Sequence, residues 1–390
     1  MIYRARRRHH ASGAFLLVCL VSAVAQAEVL AVGPGRRVTT LAEAARVAKS
    51  GDTVEVDAGT YAGDVAVWTQ DKLTLRAMGG RVKLLAAGAA AEGKAIWVVR
   101  GGTVSIEGFE FRDTRVPARN GAGIRLEAGK LTVLDCIFTN NENGILTSNK
   151  AEIELEIVNS EFGFNGHGDG QSHNLYAGLI ARLVVRGSYF HHANVGHLLK
   201  SRAAFNDIRY NRLTDEAGGR ASYELEFANG GLAYVVGNII EQSGTTENPH
   251  VVSFGAEGYH WPRNGLYLVH NTLIDKRPQG GVFLRVKAGD TTVVVANNLL
   301  LGKGRLEQTG PGNYRANMSA DLDAIETEGP DEYHLRRSSA LLGKAVELPD
   351  QEGEGLVLRE QYVHRSGSQP LSGKPHNPGA LQLRRPPAAP

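Results

Sequence analysis

The chain has 390 residues, including 47 glycines and 14 prolines, and its formal net charge is +2. This glycine and proline content is typical of a turn-rich β architecture and argues against disorder. Residues 1–27 carry four arginines and no acidic residue, so the rest of the chain has a net charge of −2. A weakly acidic protein is not expected to bind nucleic acid.

Residues 1–27 have the three parts of a secretory signal peptide. A basic stretch from Arg4 to Arg8 precedes an apolar stretch, 14–24, and the small-x-small sequence Ala25-Gln26-Ala27 follows. The apolar stretch is too short to anchor the protein in a bilayer. We therefore expect cleavage before Glu28, no membrane insertion afterwards, and a periplasmic or secreted location.

The cysteines argue against stabilisation by disulfides. Cys19 would be removed with the signal peptide, and Cys136 would remain without an intramolecular partner. An exported protein of this size then depends on one large continuous hydrophobic core. A chain of this length can bury such a core as a monomer, which is the oligomeric state we expect.

The segment 28–60 is predicted to form an N-terminal cap. Thr40 to Glu43 has the capping-box pattern of a helix start. The apolar residues Leu41, Ala44, Ala45 and Ala48 would then share one face of that helix. A helix placed there can cover the first coil of a sheet and prevent edge-to-edge aggregation.

The segment 61–305 repeats one strand-like phrase, in which β-branched residues precede Asn, Asp or Gly and then a large apolar residue. The phrases end at Phe111, Phe138, Phe162, Phe190, Leu213, Ile240, Leu273 and Leu300. They recur every 23 to 33 residues, which predicts stacked coils with connecting loops of different length. We therefore predict an all-β fold, a right-handed parallel β-helix. A β-sandwich is the alternative, but a sandwich does not repeat one phrase in this way.

A second series of short strands lies between these phrases, with inward aliphatic residues alternating with outward polar ones. The predicted inward column is Ile124, Ile145, Leu175, Leu199, Leu225, Val252 and Leu284. The predicted outward column is Arg125, Leu146, Tyr176, Lys200, Glu226, Ser253 and Arg285. Adjacent coils lie about 4.8 Å apart, so outward side chains of neighbouring coils should touch.

Asparagines accompany the first series, at Asn159, Asn211, Asn238, Asn271 and Asn297. Asparagine tolerates left-handed backbone, and its amide can bond its stacked neighbour, so we expect turns at these positions. The repeat is lost after about residue 305. The segment 306–390 is therefore predicted to be an irregular tail that wraps the β-helix.

The densest cluster of ionisable side chains lies around the outward column. The catalytic candidates are Lys200, Tyr176, His173, Arg202 and His197. The substrate-binding candidates are Glu226, Glu224, Tyr223, His250 and Arg285. β-Elimination on a uronic acid needs a cation for the carboxylate, a base for the C5 proton and an acid for the leaving oxygen. These residue types can supply all three roles.

Several roles stay open within this cluster. Arg202 or Lys200 could neutralise the carboxylate. Tyr176, His173 or Lys200 could take or give the proton. Glu226 should lie beside Lys200 and hold it protonated, which favours Lys200 as the carboxylate-binding cation.

Structural interpretations of the same residues compete with the catalytic one. Lys200 and Glu226 on adjacent coils could form an ordinary surface cross-strand pair. Each histidine alone is more often structural than catalytic. The histidines His191, His192 and His197 lack a clean ligand spacing, so no metal site is predicted.

The two ends of the chain resemble the pectate-lyase-like β-helix superfamily. Residues 40–61 are similar to its opening, a short helix followed by a G-D-T strand and a G-T-Y turn. The segments 332–345 and 377–383 are similar to its closing part. The resemblance implies the β-helix fold but not the reaction, because this fold hosts lyases, hydrolases, epimerases and adhesins.

Residues 197–231 resemble the central segment of chondroitinase B-like and alginate lyases. The family's base is a Lys in an N-K-S phrase, which Lys200-Ser201 matches. The partner Arg one coil later is replaced by Glu226. The resemblance also implies calcium, but Ala193 and Val195 occupy the stretch where its acidic ligands are expected. We therefore expect no cofactor.

The leading functional hypothesis is an exported polysaccharide lyase-like enzyme acting on an acidic, uronate-containing glycan. A non-catalytic β-helix that binds or organises exopolysaccharide is the alternative. A hydrolase is less favoured. Gly166-His167-Gly168 and Arg285-Val286-Lys287 are similar to polygalacturonase motifs, but the paired aspartates that inverting hydrolysis needs do not precede His167.

Overall fold

The computed structural model describes residues 1–2, 27–246, 248–307, 312–329, 332–348 and 354–382. The chain forms a right-handed parallel β-helix, as predicted. Within the predicted signal peptide, residues 3–26, which include Cys19, lie outside the described residues. Within the described ranges, no helix is both long enough and apolar enough to cross a bilayer.

The coils of the β-helix contribute strands to three faces. The first face contains Val29–Val32, Thr53–Ala62, Leu73–Leu85, Thr103–Glu107, Lys130–Leu134, Glu154–Val158, Arg182–Arg186, Phe205–Arg209, Leu232–Val236, Gly265–Val269, Thr292–Ala296 and Asn313–Arg315. The second face contains Phe109–Arg112, Ile137–Thr139, Glu161–Gly163, Tyr189–His191, Arg212–Thr214, Ile239–Gln242, Thr272–Asp275, Leu299–Gly302 and Met318–Ala320. The long strands Thr53–Ala62 and Leu73–Leu85 run from the first face into the second.

The third face is a separate sheet of ten parallel strands. Its strands are Ala66–Trp68, Ala95–Val99, Ala122–Leu126, Asn143–Thr147, Leu175–Ala177, His197–Ser201, Tyr223–Phe227, His250–Phe254, Val282–Val286 and Arg305–Leu306. Parallel pairing of the first face begins at Val29, and pairing of the second ends at Ala320. The stack therefore extends beyond both ends of the predicted segment 61–305.

The predicted cap is a helix, Leu41–Val47. Thr40 is its N-cap, and its hydroxyl accepts a hydrogen bond from the Glu43 backbone N–H at 3.1 Å. Leu41 and Ala44 are fully buried in the main core, so the helix covers the interior at the first coils.

The core is a set of stacked columns, one residue per coil. The rings of Phe111, Phe138, Phe162 and Phe190 stack with centroids 4.9, 4.6 and 4.7 Å apart. Leu213, Ile240, Leu273 and Leu300 continue this column in register. All seven residues of the predicted inward column on the third face are also fully buried and in register. Burying each such side chain contributes about 1.5–3 kcal/mol, so the columns are the main source of stability.

A ladder of buried asparagines stabilises the turn between the first and second faces. Asn211, Asn238 and Asn271 bond amide to amide, at 2.9 and 3.0 Å. The ladder then continues through Asn298 and Asn317, and Asn297 is not part of it. Asn159 and Asn297 instead have left-handed backbone, with φ of 49° and 56°. The turn prediction rested on two properties of asparagine, left-handed backbone and amide stacking. In the structure these two properties occur at neighbouring positions, as at Asn297 and Asn298.

The described part of the tail packs on the first and second faces. It contains short 3-10 helices, Leu322–Ala324 and Glu354–Leu356, and an antiparallel pair, Glu360–Tyr362 with Ser368–Pro370. Leu356 and Leu358 pack on residues at the end of the first face, and Tyr333 and Tyr362 pack on the second. The third face carries the outward column that holds the candidate site.

Candidate functional site

The candidate site lies on three neighbouring strands of the third face. The parallel register places Tyr176 beside Lys200 and Lys200 beside Glu226. Strand alternation turns these side chains outward while Leu175, Leu199 and their stacked neighbours fill the core. Arg202 follows directly after the central strand and reaches the same group.

Lys200 is a fixed cation in this site. Its Nζ lies 3.2 Å from Glu226 Oε2 and 2.8 Å from Glu257 Oε1, and its side chain is 12% exposed. Burial alone would lower the pKa of Lys200, but the two carboxylates outweigh burial and raise it. A lysine held protonated in this way can bind an anion but cannot act as a base.

Arg202 connects Tyr176 to the carboxylate of Glu257. Its Nε donates a 2.9 Å hydrogen bond to the Tyr176 hydroxyl oxygen, and its Nη2 lies 2.6 Å from Glu257 Oε2. Nη1 donates to the Asn229 side chain. Burial would lower the pKa of Arg202, but Tyr176 and Glu257 raise it overall. All three nitrogens are engaged, so the guanidinium is fixed against the phenol.

Two histidines lie beneath the charged groups. His197 Nε2 is 2.9 Å from Glu226 Oε2, and burial lowers the pKa of His197 despite that carboxylate. His173 Nδ1 accepts the His197 backbone N–H at 3.0 Å, which leaves the proton of a neutral ring on Nε2. Burial, together with the neighbouring ring of His197 and the charges of Lys200 and Arg202, holds the pKa of His173 well below its usual value. Both rings are therefore neutral near pH 7.

Glu226 is the buried anion of the site. Its side chain is 4% exposed and contacts both His197 and Lys200. Burial would raise the pKa of Glu226, but these two partners lower it below the ordinary value. It positions the lysine and the histidine, and has little surface left for a ligand.

Glu224 does not line the site as predicted. It is fully buried, and burial raises its pKa well above the ordinary value. It lies between the paired residues Tyr223 and Leu225, in the position that Leu198 takes one coil earlier. Leu198 and Leu199 are both in the core, so the in–out alternation breaks here and two consecutive side chains face inward.

The other predicted binding residues, Tyr223, His250 and Arg285, lie at increasing distance from the site along the third face. Tyr223 is half-buried, with its ring centroid 5.0 Å from that of His197 and 6.3 Å from that of His250. Arg285 is paired in register with Ser253, three coils from Lys200 and so roughly 14 Å away. Arg285 therefore cannot share one sugar unit with Lys200.

Three other histidines named above, His167, His191 and His192, have partners outside the site. His191 belongs to the second face, where its Nδ1 is 2.9 Å from His192 Nδ1 and its Nε2 is 3.2 Å from Glu161 Oε1. His167 Nδ1 is 3.3 Å from Glu142 Oε1. In the described ranges, no group of three or more His, Cys, Asp or Glu side chains is arranged to hold a metal ion. Ala193 and Val195 supply no side-chain oxygen, so the residues present do not fit the calcium site that the local resemblance implies.

Sequence reasoning missed three members of the site, Asn229, Glu257 and Trp261. Glu257 and Trp261 lie on the loop 255–264, which follows the strand His250–Phe254. The loop reaches back over two coils, and Trp261 Nε1 donates to the Arg202 carbonyl at 2.9 Å. A loop outside the repeat has no periodic signal. Only the isolated acid in the short sequence Gly255-Ala256-Glu257-Gly258 could have drawn notice.

Comparison with known proteins identifies the fold. No family model and no curated protein matches the chain. The crystal structure of pectate lyase Pel9A matches with a TM-score of 0.54 and 12% identity, covering 92% of this chain and 97% of that one. This match confirms the pectate-lyase-like fold.

Two other structures match more weakly. ORF18 of Geobacillus virus E2 has a TM-score of 0.42 and 14% identity, over 69% of this chain and 53% of that one. A pectin methylesterase solved with a hexasaccharide has a TM-score of 0.35 and 10% identity, over 80% and 94%. These scores are too low to support a conclusion about this chain.

Proposed function

We propose that the protein is a polysaccharide lyase-like enzyme that cleaves an acidic, uronate-containing glycan by β-elimination. The observation that carries the proposal is the 2.9 Å hydrogen bond from Arg202 Nε to the Tyr176 hydroxyl, beside the ammonium of Lys200. It puts a proton-transfer group next to two cations. The C5 proton of a uronate is adjacent to the carboxylate, so base and carboxylate-binding groups must be neighbours.

The residues divide the reaction between them. Lys200 and Arg202 bind the uronate carboxylate and stabilise the negative charge that develops when C5 loses its proton. Tyr176 is assigned as the base, because Lys200 is held protonated and the Tyr176 oxygen lies 2.9 Å from Arg202 Nε, next to the cations that bind the carboxylate. The phenolate takes the C5 proton, the C4–O bond breaks and a C4–C5 double bond forms. Tyr176 then returns the proton to the leaving oxygen, so no water is consumed and the phenolate is restored.

The fold is compatible with this chemistry. A pectate lyase shares it over nearly the whole chain, although one fold can host many reactions. The proposal therefore depends on the site and not on the neighbour. The proposal includes export of the protein, because the proposed substrate is a large extracytoplasmic polymer.

The position of Glu28 is consistent with signal removal. Its backbone N–H donates to Asp52 Oδ1 at 3.0 Å, and its carbonyl accepts from the Thr53 N–H at 2.9 Å. Cleavage before Glu28 would convert the first contact into an ion pair without disturbing the first strand. N-terminal sequencing of exported protein should read from Glu28, and stable protein that retains Met1 would contradict export by this route.

The alternative is a protein that binds acidic polysaccharide without cleaving it. Glu226 favours it, because this residue stands where the related lyases have their partner Arg, so the lyase signature is incomplete. Both functions use the same cations but only the enzyme needs the Tyr176 hydroxyl. A screen of pectate, alginate, chondroitin and hyaluronan for ultraviolet-absorbing unsaturated product separates them. Product from one polymer supports the lyase, and binding without product supports the alternative.

A further inference from the structure

A carboxylate of the protein occupies the space between the two cations of the site. Glu257 Oε1 lies 2.8 Å from Lys200 Nζ, and Glu257 Oε2 lies 2.6 Å from Arg202 Nη2. One carboxylate bridging an ammonium and a guanidinium is also the arrangement proposed above for the substrate. We infer that Glu257 is an internal substitute for the uronate carboxylate, which must displace it to bind. This inference rests on the proposed function and adds a device that selects for charged sugars.

The charges of Lys200, Arg202, Glu226 and Glu257 balance only while Glu257 is in place. Lys200 and Arg202 are positive, Glu226 and Glu257 are negative, and the two histidines are neutral. Glu226 is buried and bonded to His197 as well as Lys200, so it cannot leave. When the Glu257 side chain moves away, one net positive charge remains among these four side chains. That charge matches a single uronate carboxylate.

Glu257 is the replaceable member of this group. Its side chain is 41% exposed, compared with 12% for Lys200 and 20% for Arg202, so it lies on the solvent side of both cations. Burial would raise the pKa of Glu257, but Lys200 and Arg202 lower it, so it is ionised at neutral pH. Ion pairs with an exposed partner contribute little to stability, and a second carboxylate can replace one at small cost.

The backbone of the loop is anchored independently of the Glu257 side chain. The Glu257 N–H donates to the Ala228 carbonyl at 2.9 Å, and the His260 N–H donates to the Asn229 carbonyl at 3.0 Å. Trp261 is bonded to the Arg202 carbonyl. Displacement therefore needs only a change of side-chain rotamer. A neutral sugar offers no carboxylate to exchange, so it should not displace Glu257.

The test compares Glu257→Gln with Glu92→Gln. Glu92 is a matched control, because it also bridges an arginine and a lysine, Arg100 and Lys94, away from the site. Binding of oligogalacturonate, oligomannuronate and chondroitin oligosaccharides is measured by calorimetry, with cellotriose as the neutral probe. Melting temperatures establish that both variants are folded.

The expected result is that Glu257→Gln lowers the Kd for the acidic oligosaccharide about tenfold, the equivalent of about 1.4 kcal/mol. Glu92→Gln should leave that Kd unchanged, and neither variant should bind cellotriose. If wild type binds an acidic oligosaccharide and Glu257→Gln binds it equally or more weakly, Glu257 supports the cations and is not a substitute. That result overturns the inference and leaves the proposed function standing. If no acidic oligosaccharide binds to wild type or to Glu257→Gln, the proposed function fails and the inference fails with it.

Discussion

The Tyr176 hydroxyl oxygen accepts a hydrogen bond from Arg202 Nε at 2.9 Å, across two adjacent coils of the β-helix. Arg202 Cζ also lies 5.8 Å from the Tyr176 ring centroid. Asn229 and Glu257 fix the guanidinium on its other side, so the phenol oxygen and the cation are held in one geometry. This relationship distinguishes the site from a surface ion pair.

The Tyr176 hydroxyl should be required for cleavage but not for binding. Tyr176→Phe removes the proton-transfer group and keeps the ring, so we expect kcat to fall by about 10²- to 10⁴-fold. Binding of the same glycan should change little. Tyr223→Phe is the control, because Tyr223 lies at the edge of the site beside His197. Equal losses in both variants would show that Tyr176 is not the base.

Lys200 should contribute to glycan binding. Lys200→Ala removes a charge-assisted hydrogen bond worth about 1.5–3 kcal/mol, a loss of roughly ten- to hundredfold in affinity. If Lys200 formed only a surface ion pair, Lys200→Ala would lose less than about 1 kcal/mol of unfolding free energy and would bind the glycan as well as wild type does. Lys94→Ala is the control, since Lys94 pairs with Glu92 and Glu127 away from the site. Melting and glycan binding are measured on the same preparations, and unchanged binding by Lys200→Ala would reject its role.

The inward column should be essential for folding. Leu199→Asp places an unpaired charge between Leu175 and Leu225, and we expect a loss of more than about 4 kcal/mol or no folded protein. The same change at Leu342, which is 39% exposed, should be tolerated. Urea unfolding of both variants provides the comparison. A soluble Leu199→Asp protein with wild-type stability would show that the column is misassigned.

The sequence predicted the β-helix and the order of its columns because each coil repeats the same phrase. Phe111 to Leu300 align one per coil, and the register of Tyr176, Lys200 and Glu226 follows from the same spacing. Glu224 was misplaced because strict alternation was assumed where the chain turns two consecutive residues inward. Glu257 was missed because a non-repeating loop carries it to Lys200, 57 residues away in the chain. Regular repeats are encoded locally, whereas loop geometry depends on the coils that the loop crosses.

The buried carboxyl of Glu224 should make the protein less stable as pH rises. Its pKa is raised in the folded state, so the unfolded chain loses this proton first. The free energy of unfolding then falls by about 1.4 kcal/mol per pH unit above the pKa that Glu224 has in the unfolded chain. The fall stops when the pH reaches the pKa that Glu224 has in the folded protein. Glu224→Leu, which matches the stacked Leu198, should remove this loss.

Urea unfolding at pH 5 and pH 8 measures the effect of Glu224→Leu. The advantage of the variant over wild type should be larger at pH 8, and the exposed Glu156→Leu should show no such change. An advantage that is equal at both pH values would mean that Glu224 is ionised in the folded protein.

The mass of the reaction products tests the central claim most directly. Wild-type protein is incubated with the acidic oligosaccharide that it binds, and the fragments are analysed by mass spectrometry. β-Elimination predicts one saturated fragment and one unsaturated fragment whose masses add up to that of the substrate, with both formed far more slowly by Tyr176→Phe. Fragments whose masses together exceed that of the substrate by one water would show hydrolysis, and intact oligosaccharide bound at the site would show a binding protein. Either result would contradict the lyase mechanism.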